Sequence, residues 1–173
     1  MKVTLLMAIS LNGIIARENN EEDFLSHTNW LTFVKLASEI GCMIWGRRTH
    51  EVVRTWEKEY WDEIKNVKKI IISSDKNLYL EETCVQASSP KDALKKLSDD
   101  RFESVILSGG STLNNSFLKE DLINEIILNI EPVVIGKGIP VFKLDGFKDA
   151  KLEFLEMQKL EEGIVQLKYK VLN

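Results

Sequence analysis

Cys42-Met43-Ile44-Trp45-Gly46-Arg47-Arg48-Thr49 sets four apolar residues directly before a glycine and a basic pair. The apolar run reads as a short buried strand, and the residues from Arg47 onward as the start of a helix. The same order recurs downstream. Ser104-Val105-Ile106-Leu107 is followed by Ser108-Gly109-Gly110-Ser111-Thr112, and then by Leu113, Phe117 and Leu118 at helical spacing. A strand that ends in glycine and turns into a helix is the building unit of an α/β domain.

The rest of the chain alternates in the same way. Lys2 to Ile9 reads as a buried strand, and Ser10 to Ser26, rich in Asn and Glu, as a long loop. Trp30, Phe33, Val34, Ala37 and Ile40 keep helical spacing, with Thr28 as N-cap and Gly41 as the stop. Lys69 to Ser73 is a strand, and Ser89-Pro90-Lys91-Asp92 opens a helix with a cap, an N1 proline and a first-turn acid. Beyond Asn124 the pattern is mainly β: Glu125 to Ile130, Val133 to Ile135, then Lys151 to Leu160 and Ile164 to Leu172 joined as a hairpin at Glu161-Glu162-Gly163. In the last strand Val165, Leu167, Tyr169 and Val171 alternate with polar neighbours, which suits one buried face.

Composition sets the outer bounds. At 173 residues, 44% hydrophobic and 29% charged, the chain suits one soluble domain spanning 1–173. The net charge of −4 gives no electrostatic reason to expect nucleic acid. No apolar stretch approaches the ~20 residues that span a bilayer, so no membrane and a cytoplasmic location are expected. Cys42 and Cys84 read as buried thiols, and two histidines without paired spacing give no metal site.

The chemistry concentrates at the two glycine junctions. A helix start offers unpaired N–H groups and the positive end of the helix dipole, and glycine lets a phosphate approach the backbone. Arg47 and Arg48 add guanidinium forks, which suit the 2′-phosphate of NADPH, and Thr49 adds a hydroxyl. Ser73 and Ser74, ending another strand, supply further hydroxyls. Either junction alone reads equally well as an ordinary turn, and an Arg-Arg pair as plain surface. Their conjunction points to a nucleotide.

Four blocks together resemble the RibD C-terminal reductase family of the dihydrofolate-reductase-like superfamily. They are Ala8-Ile9-Ser10-Leu11-Asn12-Gly13-Ile14-Ile15-Ala16; Gly46-Arg47-Arg48-Thr49; Ser108-Gly109-Gly110 through Leu122-Ile123-Asn124-Glu125; and Pro132-Val133-Val134-Ile135-Gly136-Lys137-Gly138-Ile139-Pro140-Val141-Phe142. The resemblance implies a mostly parallel central sheet flanked by helices, with a C-terminal antiparallel hairpin. It implies NADPH as cofactor and hydride transfer to a small heterocycle. The nearest named reaction is reduction of 5-amino-6-(5-phosphoribosylamino)uracil in riboflavin biosynthesis. Position by position, Ala8 and Ile15 would line the nicotinamide with Ala16 beside it, and Gly46 to Thr49 would meet the adenosine-side phosphates. Ser73 and Ser74 would lie at the adenine ribose, and Gly109, Gly110, Ser111 and Thr112 at the pyrophosphate.

Departures from the family concern the substrate. Asn12 stands where the family carries aspartate, and the D-D-P-x-L-x-x-R stretch that holds a ribose phosphate is replaced by Arg54-Thr55-Trp56-Glu57-Lys58-Glu59-Tyr60-Trp61. Asn29 stands nearest the acid that folate reductases use, and an amide cannot serve as that acid. Asn12 and Asn29 are therefore the candidate catalytic positions, with no proton donor assigned. Glu21, Glu22 and Asp23 in the preceding loop would need a rearrangement to take that part.

Trp30 and Phe33 either border the substrate pocket or belong to the core. Trp56, Tyr60 and Trp61 have no role assigned. Two other readings stay open: a folate or pterin reductase with an unusual proton source, and a nucleotide-binding module without catalysis. A homodimer in which Gly136 to Phe142 contributes is a further expectation.

Overall fold

Isoleucine, valine and leucine runs become the middle of a single sheet in the computed structural model, which describes residues 1–143 and 149–172. In chain order the elements are β1 (Lys2–Ser10), β2 (Ile14–Ala16), α1 (His27–Ile40), β3 (Cys42–Gly46), α2 (Arg47–Val53), α3 (Lys58–Glu63), β4 (Lys68–Ile72) and β5 (Cys84–Ala87). They continue as α4 (Pro90–Asp99), β6 (Ser104–Leu107), α5 (Ser111–Lys119), β7 (Glu125–Glu131), β8 (Ile139–Pro140), β9 (Lys151–Lys159) and β10 (Val165–Leu172).

Eight strands lie in the order β5-β4-β3-β6-β1-β7-β10-β9. The first six run parallel, and β10 and β9 close the sheet as an antiparallel pair. This is the expected α/β class. Central strands are buried on both faces because helices cover both. Ile44, Ile70, Val105 and Leu107 face one layer with Ala93, Leu97 and Phe117, whereas Met43, Trp45, Ile71 and Ile106 face the other with Ala37. Each such Ile or Leu contributes about 1.5–3 kcal/mol by leaving water. Among the described residues no helix is long and apolar enough to cross a membrane.

Several local expectations are corrected. Helix α1 is capped at Ser26 rather than Thr28, because the Thr28 hydroxyl donates to Glu162 Oε2 at 2.6 Å and the Ser26 N–H to Glu131 Oε1 at 2.7 Å. The loop from Ser10 to Ser26 contains β2, which pairs with β8. Val133 to Ile135 is not a strand. Pro132 has no N–H to continue the ladder after β7, and the segment instead accepts from Leu11 N at Val133 O, 2.8 Å. Two elements had no separate signal: β5, four residues long, and α3, six residues long. Both owe their form to neighbours rather than to periodicity.

Candidate active site

Strands β3 and β6 are neighbours, so their carboxyl ends bring the two glycine junctions together. The Gly46 N–H donates to Gly109 O at 2.9 Å, and the Ser108 N–H to Ile44 O at 2.9 Å. Gly109 has φ +81°, a conformation that favours glycine, and a Cβ there would also come within 3.1 Å of Met7 Cε. The peptide between Gly109 and Gly110 is cis. Gly46 and Gly110 are the N-caps of α2 and α5, and neither helix start is capped by a side chain.

The polar groups around this junction fit a phosphate-bearing cofactor. Ser111 is buried, and its hydroxyl has no hydrogen-bond partner. Thr112 is exposed beside it, and the Thr49 hydroxyl lies 3.6 Å from where a Cβ on Gly110 would be. Arg47 and Arg48 are both exposed; Arg47 Nη1 is paired with Glu51 Oε1 at 2.8 Å, and no ion pair holds Arg48 among the described residues. Ser73 is buried, with its hydroxyl accepting from Asp75 N at 3.0 Å, while Ser74 is exposed.

A cavity of about 700 Å³ opens next to this junction. Met7 and Ala8 from the end of β1, Ile15 from β2, Thr49 from α2 and Ser108 line one side. Ala16 is buried behind Ile15 and does not line it; its carbonyl lies so close to Gly138 that any Cβ there would collide. Trp30, Phe33, Trp56 and Tyr60 form an aromatic wall on the other side. Trp30 sits 5.3 Å from Phe33, 5.6 Å from Trp56 and 5.1 Å from Tyr60, ring centre to ring centre. Edge-on contacts at such spacing add to the burial of the rings. Trp30 and Phe33 thus border the cavity and also pack on the core layer. Trp61 separates from this group and packs on Trp45 and His50 instead.

The two asparagines have different fates. Asn12 is exposed, and its amide accepts from Ser10 Oγ and Ile135 N and donates to Ile135 O, at 2.8, 3.1 and 2.8 Å. It pins the β1 loop to residue 135 and is not among the residues that line the cavity. Asn29 is 6% exposed and lines the cavity. Its amide nitrogen donates to Glu131 Oε1 and its Oδ1 has no partner. Glu131, buried at the end of β7, thereby holds both the start of α1 and the Asn29 side chain.

Sequence reasoning placed Glu22 outside reach of the site. The structure puts it in the cavity lining without rearrangement, where burial pushes its carboxyl up to about 7. No periodicity could reveal this, because the loop that carries Glu22 is positioned by Arg17 N–H donating to Glu21 O and by the β2–β8 pair. Elsewhere, His50, Glu81 and Cys84 bring three potential ligand atoms within 4.8 Å of one another. Arg54 Nε already holds Glu81 Oε1 at 2.7 Å, which sets a positive charge against any cation there.

A mostly parallel α/β sheet with two glycine-gated helix starts and an aromatic-lined cavity near the carboxyl ends of its strands defines the scaffold. The RibD C-terminal domain matches residues 1–166, and the chain belongs to this family, the reductase domain of a riboflavin-pathway protein. Protein YyaP of Bacillus subtilis (strain 168) is 25% identical over 177 residues, covering 97% of this chain and 94% of its own. A pyrimidine reductase-like protein from Corynebacterium diphtheriae superposes with a TM-score of 0.76 at 14% identity, over 99% of this chain and 92% of that one. RibD of Acinetobacter baumannii superposes with a TM-score of 0.80 at 20% identity, over 99% of this chain but 58% of that longer one.

Proposed function

We propose that the protein is an NADPH-dependent reductase of a small heterocycle of the aminouracil type. The observation that carries this reading is the contact between the two glycine junctions, each of which contributes one residue, Thr49 and Ser108, to the lining of one cavity. Gly46 to Thr49 and Gly109 to Thr112 would hold the phosphates of the cofactor, with Arg48 reading the 2′-phosphate. Ser73 and Ser74 would meet the adenine ribose, and Ala8 and Ile15 would border the nicotinamide. Bound there, the cofactor supplies a hydride. The chain orients the acceptor against the aromatic wall and keeps water from it. Within the family, reduction of 5-amino-6-(5-phosphoribosylamino)uracil is the nearest named reaction, and the likeness to RibD supports that class of substrate.

Titration calorimetry of the protein with NADPH tests the reading. Saturable binding in the micromolar range, with NADH much weaker, is expected; no heat at millimolar NADPH refutes it.

We also propose a homodimer. The segment from Gly136 to Phe142, a candidate for its interface, is engaged within the chain through the β2–β8 pair. Strand β9 takes over that part: all nine of its residues are exposed at the sheet edge, Phe154 and Met157 by 58% and 66%. A long edge strand left bare invites pairing.

A further inference from the structure

Among the described residues that line the cavity there is no lysine or arginine, but there are two carboxylates, Glu22 and Glu57. A phosphate monoester carries about −1.5 to −2 charges near neutral pH, and proteins bind such groups with guanidinium or ammonium partners. Of the nearby arginines, Arg48 is exposed and does not line the cavity, and the reading above gives it the 2′-phosphate of the cofactor. Arg54 is held by Glu81 at 2.7 Å and Arg47 by Glu51 at 2.8 Å, and neither lines the cavity. What the cavity does offer is an aromatic wall whose Trp30, Trp56 and Tyr60 rings meet edge to face, one buried acceptor at Asn29 Oδ1 without a partner among the described residues, and the Glu22 carboxyl.

Resting on the reductase reading above, we propose that the cavity takes a planar nitrogen heterocycle without a phosphate group, packed beside the edge-to-face cluster of Trp30, Trp56 and Tyr60, with an N–H donated to Asn29 Oδ1 and a C=N nitrogen facing the Glu22 carboxyl. A dianionic phosphate would meet the Glu57 carboxylate with no lysine or arginine among the described lining residues to offset it, and would remove the proton from Glu22 or be repelled by it. The Glu22 carboxyl supplies the proton that reduction of a C=N bond requires. Its O–H bond breaks as the N–H bond forms, the carboxylate then takes a proton from water, and the hydride comes from the reduced nicotinamide, which is oxidised.

Burial of Glu22 keeps that proton in place up to about pH 7, where an acid is both protonated and able to release. His27, Glu57 and Tyr60 share the cavity lining with it. Arg17, Glu21 and Asp23 lie on its own loop, with Arg17 Nε bound to Asp23 Oδ1 at 2.5 Å. Glu131 stands behind Asn29, Glu162 holds Thr28, and Glu63 accepts from the Trp30 indole.

The test measures equilibrium binding to the whole chain by calorimetry, using 5-amino-6-ribosylaminouracil, whose ring-opened form carries a C=N bond, and its 5′-phosphate, with NADPH titrated in parallel. The unphosphorylated compound is expected to bind at least about tenfold more tightly, since like charges placed together disfavour the other. Its binding should change with pH around 7 in the native chain and lose that dependence in Glu22→Gln, with Glu22→Asp restoring part of it. Turnover in Glu22→Gln should fall by about 10²-fold with KM little changed. Equal or tighter binding of the phosphate overturns the inference, as does failure of both compounds to bind while NADPH binds. Absence of NADPH binding instead removes the reductase reading beneath it. The paired ligands are measured on the unaltered chain, so the outcome stands even if a Glu22 variant fails to fold.

Discussion

Replacing Glu22 by glutamine is expected to stabilise the fold at alkaline pH and to do nothing at acid pH. In the unfolded chain this carboxyl loses its proton near its ordinary value of 4.5; in the folded chain it keeps it to about 7. Between these values the folded state binds more protons, so stability falls as pH rises, and above 7 the whole cost of burying a carboxylate is present. At 1.36 kcal/mol for each tenfold change, moving from 4.5 to about 7 corresponds to at most about 3 kcal/mol. Glutamine fills similar space with no charge. Urea unfolding from pH 4 to pH 8.5 should therefore give coincident curves for Glu22→Gln and the native chain at the acid end. At pH 8.5 the variant should be ahead by up to about 3 kcal/mol, or roughly 6–12 °C in Tm for a chain of this size. A difference that does not change with pH, or a native chain more stable than the variant at pH 8.5, would show that the carboxyl is not desolvated.

Other perturbations address the supports of the site. Glu131→Ala leaves the Ser26 N–H without its acceptor and the Asn29 amide with only Ser26 Oγ, at 3.3 Å. At about 1.5–3 kcal/mol for a hydrogen bond to a charged group, a loss of about 3 kcal/mol or more is expected by urea unfolding, with Glu131→Gln losing much less; equal losses refute the clamp. Arg48→Ala should weaken NADPH by about tenfold with little effect on NADH, whereas Arg47→Ala, removing a group already paired with Glu51, should weaken it less. Reversed effects in calorimetry would transfer the 2′-phosphate to Arg47. Phe154→Lys with Met157→Lys should turn a dimer into a monomer in sedimentation velocity without changing NADPH affinity; a monomeric native chain at micromolar concentration excludes the β9 interface.

Much of the fold was legible from residue order. Cys42 to Trp45 and Ser104 to Leu107 are strands because apolar runs of that length bury on both faces only in a helix-covered sheet. Ser89 caps α4 as its spacing to Asp92 indicates, accepting from Asp92 N at 3.2 Å. The C-terminal hairpin follows from alternation in β10. Local signals failed where a partner distant in sequence decided the outcome. Thr28 looks like a cap until Glu162, 134 residues away, takes its hydroxyl.

The order of amino acids by itself determined the layered α/β class and the two glycine junctions, because those depend on periodicity and backbone freedom within a few residues. Only tertiary structure decided what faces the cavity. Asn12 binds Ile135 and stands outside the cavity lining, whereas Glu22 is part of it. The reason is physical: a carboxyl's proton affinity is set by the solvent it loses, and the cavity that Glu22 lines is built from residues as far apart in sequence as Leu6 and Asn129.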